Sequence, residues 1–144
     1  MIVWRIANAS YAALDGLGGL TVPGRWHNSG RPVIYTADSS ALSMLEVRVH
    51  LDLTAAQLTR FVMLKIEIPD GVSIRTPDAD PHDEILARKT GDRWLAERKT
   101  AVMQVQSALA PERSNYLINP LNSDAPKIAI LAEAPLAFDA RLFR

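Results

Sequence analysis

Glu46 occupies a position where packing alone gives no reason for a carboxylate. Asp38 or Ser39 reads as the cap of a helix running to about residue 50, with Leu42, Leu45 and Val49 at the i, i+3, i+7 spacing of a buried stripe. Glu46 falls four residues after Leu42, inside that stripe, where a carboxylate is paired, stands at the edge of a cleft, or is a penalty. Three other polar positions share its character. Arg5 interrupts an apolar strand between Trp4 and Ile6, although an arginine so placed is more often an edge-strand residue facing water. Arg25, in Gly24-Arg25-Trp26, sets a guanidinium in a glycine loop, an arrangement suited to clasping an anion through two hydrogen bonds. Ser107 follows a strand, where a chain delivers a side chain to the mouth of a cleft.

Other chemistries are excluded by what the sequence lacks. With no cysteine among its 144 residues, the chain has no disulfide, thiolate nucleophile or sulfur-ligated zinc, which fits a reducing compartment. His27, His50 and His82 have no metal-ligand spacing, so no metal site is expected; His50 and His82 read as surface or loop residues, and His27 stays open. The run Gly16-Leu17-Gly18-Gly19 tempts a dinucleotide-fold reading but lacks the last glycine and runs into Pro23-Gly24 instead of opening a helix. Neither a phosphate-binding P-loop nor a G-x-S-x-G nucleophile elbow is present. Sixteen Lys and Arg against sixteen Asp and Glu leave formal charge zero, which favours a small-molecule ligand over direct nucleic-acid binding. No apolar run approaches the ~20 residues that span a bilayer, and the first residues lack a signal-peptide pattern, so a cytoplasmic protein without membrane contact is expected.

The elements that must position these residues read as follows. Strands are expected at 2–6, 32–36, 61–68, 100–107, 116–119 and 127–132, with 136–138 and the FDARLF tail closing the sheet. A glycine-rich loop spans 15–30, Pro69-Asp70-Gly71 is a turn, and 111–115 is a loop. Residues 72–89 are polar with one helical turn near 84–88, and Thr90 or Asp92 caps a short helix to Lys99. The expectation is one α+β domain over residues 1–144, a mainly antiparallel sheet with a few helices.

Taken in order, the polar residues resemble the RES domain, a family named for its arginine, glutamate and serine. The likeness runs through WRI at 4–6, GLGG at 16–19, GRWHNSG at 24–30, VIYTA at 33–37 and ALSMLE at 41–46, then GDRWL at 91–95, VQSA at 105–108, NYLINP at 115–120 and FDARL at 138–142. It implies an ADP-ribosyltransferase-like fold and the toxin of a bacterial toxin–antitoxin pair that degrades NAD⁺ by hydrolysis or phosphorolysis and arrests growth. NAD⁺ is then a substrate, and no cofactor is retained. The implied partner is an Xre/MbcA/ParS-type helix-turn-helix antitoxin that occludes the site. By matching position, the resemblance assigns Arg5, Arg25, Tyr35, Glu46 and Ser107, with Asn119 as an addition. Here His27 stands where many relatives have Asn, Gln106 replaces a proline, and Leu121 follows Asn-Pro where His is common.

Cleaving the bond from ribose C1′ to nicotinamide releases a neutral leaving group and develops oxocarbenium charge, which carboxylates and hydrogen bonds to the neighbouring hydroxyl stabilise. That chemistry suits Glu46 as the electrostatic stabiliser and ribose ligand, Arg5 and Arg25 as the pyrophosphate grip, and Tyr35 as a stacking surface with a hydroxyl handle. Ser107 orients Glu46 or the ribose, since no histidine base is evident beside it. The alternatives are an ADP-ribosyltransferase acting on a protein, although the Glu-x-Glu pair of many such enzymes is absent, with Met44 two residues before Glu46, a noncatalytic interaction module, and an RNA-cleaving toxin, which the neutral charge disfavours.

Overall fold

Alternating apolar residues from five strands build two clusters on opposite faces of one sheet. The computed structural model describes residues 1–50 and 54–143. In chain order its elements are β1 (Ile2–Asn8), β2 (Ile34–Ala37), α1 (Ser40–His50), α2 (Ala55–Leu58), β3 (Phe61–Glu67), β4 (Ile74–Arg75), α3 (Glu84–Glu97), β5 (Val102–Gln106), β6 (Ser114–Ile118) and β7 (Ala129–Pro135), with short 3-10 turns between. The sheet order is β4-β5-β6-β2-β1-β3-β7, antiparallel throughout except for the parallel β4–β5 pair. Because side chains alternate across a strand, Ile34, Val102, Tyr116 and Ile118 join Val3, Leu64 and Ile66 on one face, while Val33, Met103, Val105 and Leu117 pack on the other with Trp26, Trp94 and Leu95. This is the α+β, mainly antiparallel architecture expected of the sequence.

The centre of the sheet is not uniformly zipped. β1 pairs with β3 along its whole length, from Ile2 opposite Glu67 to Asn8 opposite Phe61. Toward β2 the register contains one pair, Trp4 with Ala37. The next positions along, Arg5 and Ile6 on one strand and Thr36 and Tyr35 on the other, do not continue the paired register. The Arg5 guanidinium bridges the opening, its Nη1 donating to the Tyr35 carbonyl oxygen at 3.2 Å. Arg5 therefore lies in an interior strand, not at a solvent-facing edge.

Several boundaries differ from the sequence expectation, each for a local reason. Residues 84–97 form one continuous helix capped by Asp83, whose carboxylate accepts from the Leu86 N–H at 3.1 Å. Thr90 and Asp92 cap nothing: the Thr90 hydroxyl donates to the Leu86 carbonyl one turn back, and the Asp92 carboxylate accepts from Asn28. On α1 the apolar stripe is not the buried one, since Leu45 and Val49 are 44% and 56% exposed while Leu42 and Ser43 are buried. β7 ends at Pro135, and the tail turns into a 3-10 segment at Ala140–Phe143, adding no strand. β4 is a two-residue strand within the stretch read as polar loop, and β6 begins at Ser114, inside the expected loop. No helix among the described residues is long and apolar enough to cross a membrane.

α3 is brought against the loop before β2 by a glycine. A Cβ on Gly91 would collide with the Trp26 carbonyl group, so helix and loop meet backbone to backbone. Gly91→Ala is expected to cost about 3 kcal/mol in urea unfolding, as overpacking against main chain does. Gly18→Ala, where a Cβ meets nothing within 4 Å, should stay within ~0.5 kcal/mol of the parent.

Candidate active site

A cavity of about 530 Å³ opens where β1 and β2 part, within the ~300–1,000 Å³ range of small-molecule sites. Arg5 of β1, Tyr35 of β2, Arg25 of the glycine-rich loop and Glu46 of α1 all line it. Four separated segments thus converge on one space. α1 is held at its wall by Ser43, whose hydroxyl donates to the Trp4 carbonyl at 3.1 Å, and Glu46 follows one turn later.

The two arginines are held differently. Arg5 is largely enclosed, and burial pulls its pKa down while the Asp15 charge pulls it up. Its Nε is buried and has no hydrogen-bond partner among the described residues. An unmet buried donor costs ~1–3 kcal/mol. Arg25 is anchored through Nη1, which donates to the Pro81 carbonyl at 2.8 Å and lies 3.7 Å from Glu84 Oε1. That ion pair is exposed and contributes little energy; the carbonyl fixes the direction of the fork. On α1 the Glu46 Oε2 is 3.0 Å from His50 Nε2, an i,i+4 pair on the cavity wall.

The loop between them is cross-braced. Trp26 is buried, and its N–H donates to the Tyr35 hydroxyl at 3.1 Å. Gly24 lies so close to Tyr35 that a Cβ there would collide with the phenol oxygen. Arg88 of α3 donates to the Gly24 carbonyl at 3.0 Å, and Asp92 accepts from the Asn28 N–H and side-chain amide at 2.9 and 2.7 Å. His27, 2% exposed, places Nδ1 2.7 Å from the Tyr35 hydroxyl and Nε2 3.2 Å from the Gly19 carbonyl oxygen. Burial lowers the His27 pKa, against the Gly19 hydrogen bond and the Asp92 charge. Burial also pushes the Tyr35 phenol well above its usual range, so it stays protonated at physiological pH.

A family model for the RES domain matches residues 2–139. The chain belongs to the RES domain family. It is 42% identical over 148 residues to a protein of Pseudomonas putida named Toxin Res, covering 99% of this chain and 100% of that one. It is 35% identical over 156 residues to a Sphingobium protein named Prs ADP-ribosylating toxin, covering 98% and 96% of the two chains. Its fold is similar to one in the crystal structure of the M. tuberculosis MbcT–MbcA toxin–antitoxin complex, with a TM-score of 0.76 at 20% identity over 94% of this chain and 84% of that one.

Within this RES domain, the structure brings together Arg5, Arg25, Tyr35 and Glu46 and sets two expected residues apart. Ser107 is 1% exposed, and its Oγ accepts from the Leu109 and Ala110 N–H groups, both at 3.1 Å. It shapes the 108–109 segment that lines the cavity and lies behind that wall, not at the cleft mouth. Asn119, also 1% exposed, donates to the Leu95 carbonyl and accepts from the Leu121 N–H, tying the end of β6 to α3 away from the cavity. His50, read as a surface residue, lines the site; its four-residue spacing from Glu46 was the available signal. Arg88 and Asp92 brace the loop across the sequence, and no local pattern announces them.

The His27 environment makes stability depend on pH. Its folded pKa lies below the ordinary value of 6.5, so between the two values the unfolded chain binds the extra proton. The imidazole contributes fully above about pH 6.5, and that contribution is lost as pH falls toward the folded value. The urea midpoint should therefore drop on acidification below 6.5, with a shallower slope in His27→Asn, which removes this titration.

Proposed function

We propose that this RES domain is the toxin of a toxin–antitoxin pair and cleaves NAD⁺ between nicotinamide and ribose. The supporting observation is the convergence of Arg5, Arg25, Tyr35 and Glu46 on one cavity of about 530 Å³. Two guanidiniums suit a pyrophosphate, and a carboxylate across the same space suits a ribose that develops positive charge. The toxin names of the Pseudomonas and Sphingobium relatives, and the toxin–antitoxin complex that shares the fold, point the same way.

In the proposed reaction the C1′–nitrogen bond breaks and its electron pair goes to the pyridinium, which leaves as neutral nicotinamide. Water adds through oxygen to C1′ and releases a proton, giving ADP-ribose; phosphate in its place gives the 1″-phosphate. Glu46 stabilises the oxocarbenium charge and binds ribose hydroxyls, with His50 fixing its carboxylate at 3.0 Å. Arg5 and Arg25 hold the pyrophosphate, and Tyr35 packs against the nicotinamide–ribose end. NAD⁺ is consumed as substrate, with neither metal nor retained cofactor taking part. An unregulated NAD⁺ consumer would poison its own cytoplasm, so a helix-turn-helix antitoxin of the Xre/MbcA/ParS type that covers this cavity completes the reading. The bond-breaking step is shared with a second reading, ADP-ribosyl transfer to a protein, which the name of the 35%-identical Sphingobium relative favours.

Brief induction of the chain should deplete NAD⁺ in cells, and Glu46→Gln should lower turnover by roughly 10²–10³-fold with the fold intact. Free ADP-ribose by mass spectrometry means hydrolysis, and its 1″-phosphate means phosphorolysis. Growth arrest with unchanged NAD⁺ overturns NAD⁺ depletion, and a labelled protein product establishes transfer. Arg25→Ala should raise KM about tenfold, the loss of one charge-assisted contact. Ser107→Ala should act mainly on stability, by about 1–3 kcal/mol, through the two N–H groups it leaves unmet.

A further inference from the structure

We infer that His27 is a positioning residue that fixes the Tyr35 hydroxyl as a hydrogen-bond acceptor toward the bound molecule. The inference rests on the NAD⁺-cleaving reading for what that molecule is, and on hydrogen-bond inventory alone for the polarity. The Gly19 carbonyl can only accept, so His27 Nε2, 3.2 Å away, carries the proton of the neutral ring. Nδ1 is then bare and its one lone pair accepts from the Tyr35 hydroxyl at 2.7 Å, while the Gly24 N–H, 3.2 Å from Nδ1, is shared with the His27 carbonyl oxygen at 3.1 Å. The phenol has one proton, and Nδ1 takes it. One of its acceptor sites is filled by the Trp26 N–H at 3.1 Å. What remains for the cavity is a single lone pair. Tyr35 therefore acts neither as an acid nor as a donor in the resting site; it receives a hydrogen bond from a neutral donor, either a ribose hydroxyl or the nicotinamide carboxamide.

The same geometry contains a reversal. A second proton on His27 would make Nδ1 a donor, and the Tyr35 oxygen would then accept from both Nδ1 and Trp26. Its own proton would have to turn into the cavity, replacing the acceptor by a donor. The groups facing the imidazole decide when this happens: Tyr35 on β2, Asp92 and Arg88 on α3, and the Gly19 and Val22 carbonyls of the loop. Asp92 favours the added proton; Arg88 and burial oppose it.

The test uses the full chain and two readouts. Nitrogen-15 NMR of the imidazole near neutral pH should show Nε2 protonated and Nδ1 bare, and a protonated Nδ1 overturns the inference whatever the enzyme turns over. In NAD⁺ turnover, His27→Leu and Tyr35→Phe should each lower kcat/KM about tenfold, and the double variant should lose no more than either alone. His27→Asn, whose Oδ1 accepts but does not titrate, should recover most of the loss and weaken the acid limb of the parent profile. Losses that multiply, or an unchanged acid limb in His27→Asn, overturn the inference; if His27→Leu fails to fold, that pH profile and the NMR decide. An analogue with acetyl in place of the carboxamide separates the two donors: it should erase the Tyr35→Phe effect if the amide is bound and preserve it if the ribose is. A parent chain that leaves NAD⁺ intact counts against the proposed function alone, since the imidazole spectrum still decides the polarity of Tyr35.

Discussion

The meeting of α3 with the glycine-rich loop, backbone against backbone at Gly91 and Trp26, is the contact on which the site depends. Once the helix lies that close, Arg88 reaches the Gly24 carbonyl and Asp92 reaches Asn28, so a loop with no regular structure is pinned at both ends of residues 24–28. Trp26 then packs into the core with Trp94 and Met103, and its N–H meets the Tyr35 hydroxyl. The braced loop keeps the Arg25 guanidinium at the cavity, where it donates to the Pro81 carbonyl.

The second organising feature is the parting of β1 and β2. A fully paired sheet has no room for a ligand between strands and no need for a charged side chain there. Ending the pairing after Trp4 and Ala37 exposes backbone polar groups in the middle of the fold, and Arg5 meets one of them at the Tyr35 carbonyl. The arginine therefore serves the fold and the cavity at once, which explains why it stands on a strand that packing alone would have filled with an apolar residue.

Period-two alternation and turn chemistry made the sheet readable from the sequence, because those signals are local and strong in 61–68 and 100–107. The helix at 84–97 was harder: Thr90, Gly91 and Asp92 look like an interruption, and their actual partners lie one turn back or more than sixty residues away. Leu45 and Val49 misled for a related reason, since a stripe of leucine and valine indicates a face without saying what covers it. Glu46 was legible as an anomaly, and Arg25 as an arginine among glycines. Arg5 and Ser107 stand out weakly by position alone, and Tyr35 and Asn119 come from the family pattern; the structure keeps Arg5 and Tyr35 at the cavity and makes Ser107 and Asn119 braces of its surroundings. His27 was undecidable in isolation, since its character comes from burial and from three groups that the fold gathers.

The cross-braced loop also constrains how such a chain changes over generations. Gly24, His27, Tyr35 and Gly91 lie in one braced region: a side chain at 24 strikes the phenol, one at 91 strikes the Trp26 carbonyl, and the imidazole and phenol share a hydrogen bond. A substitution acceptable at one of these positions in a relative need not be acceptable here until its companions have also changed. Sequence drift should thus be concerted among sites scattered across the chain, and grafting one residue from a cousin is a poor guide to what the ancestor tolerated.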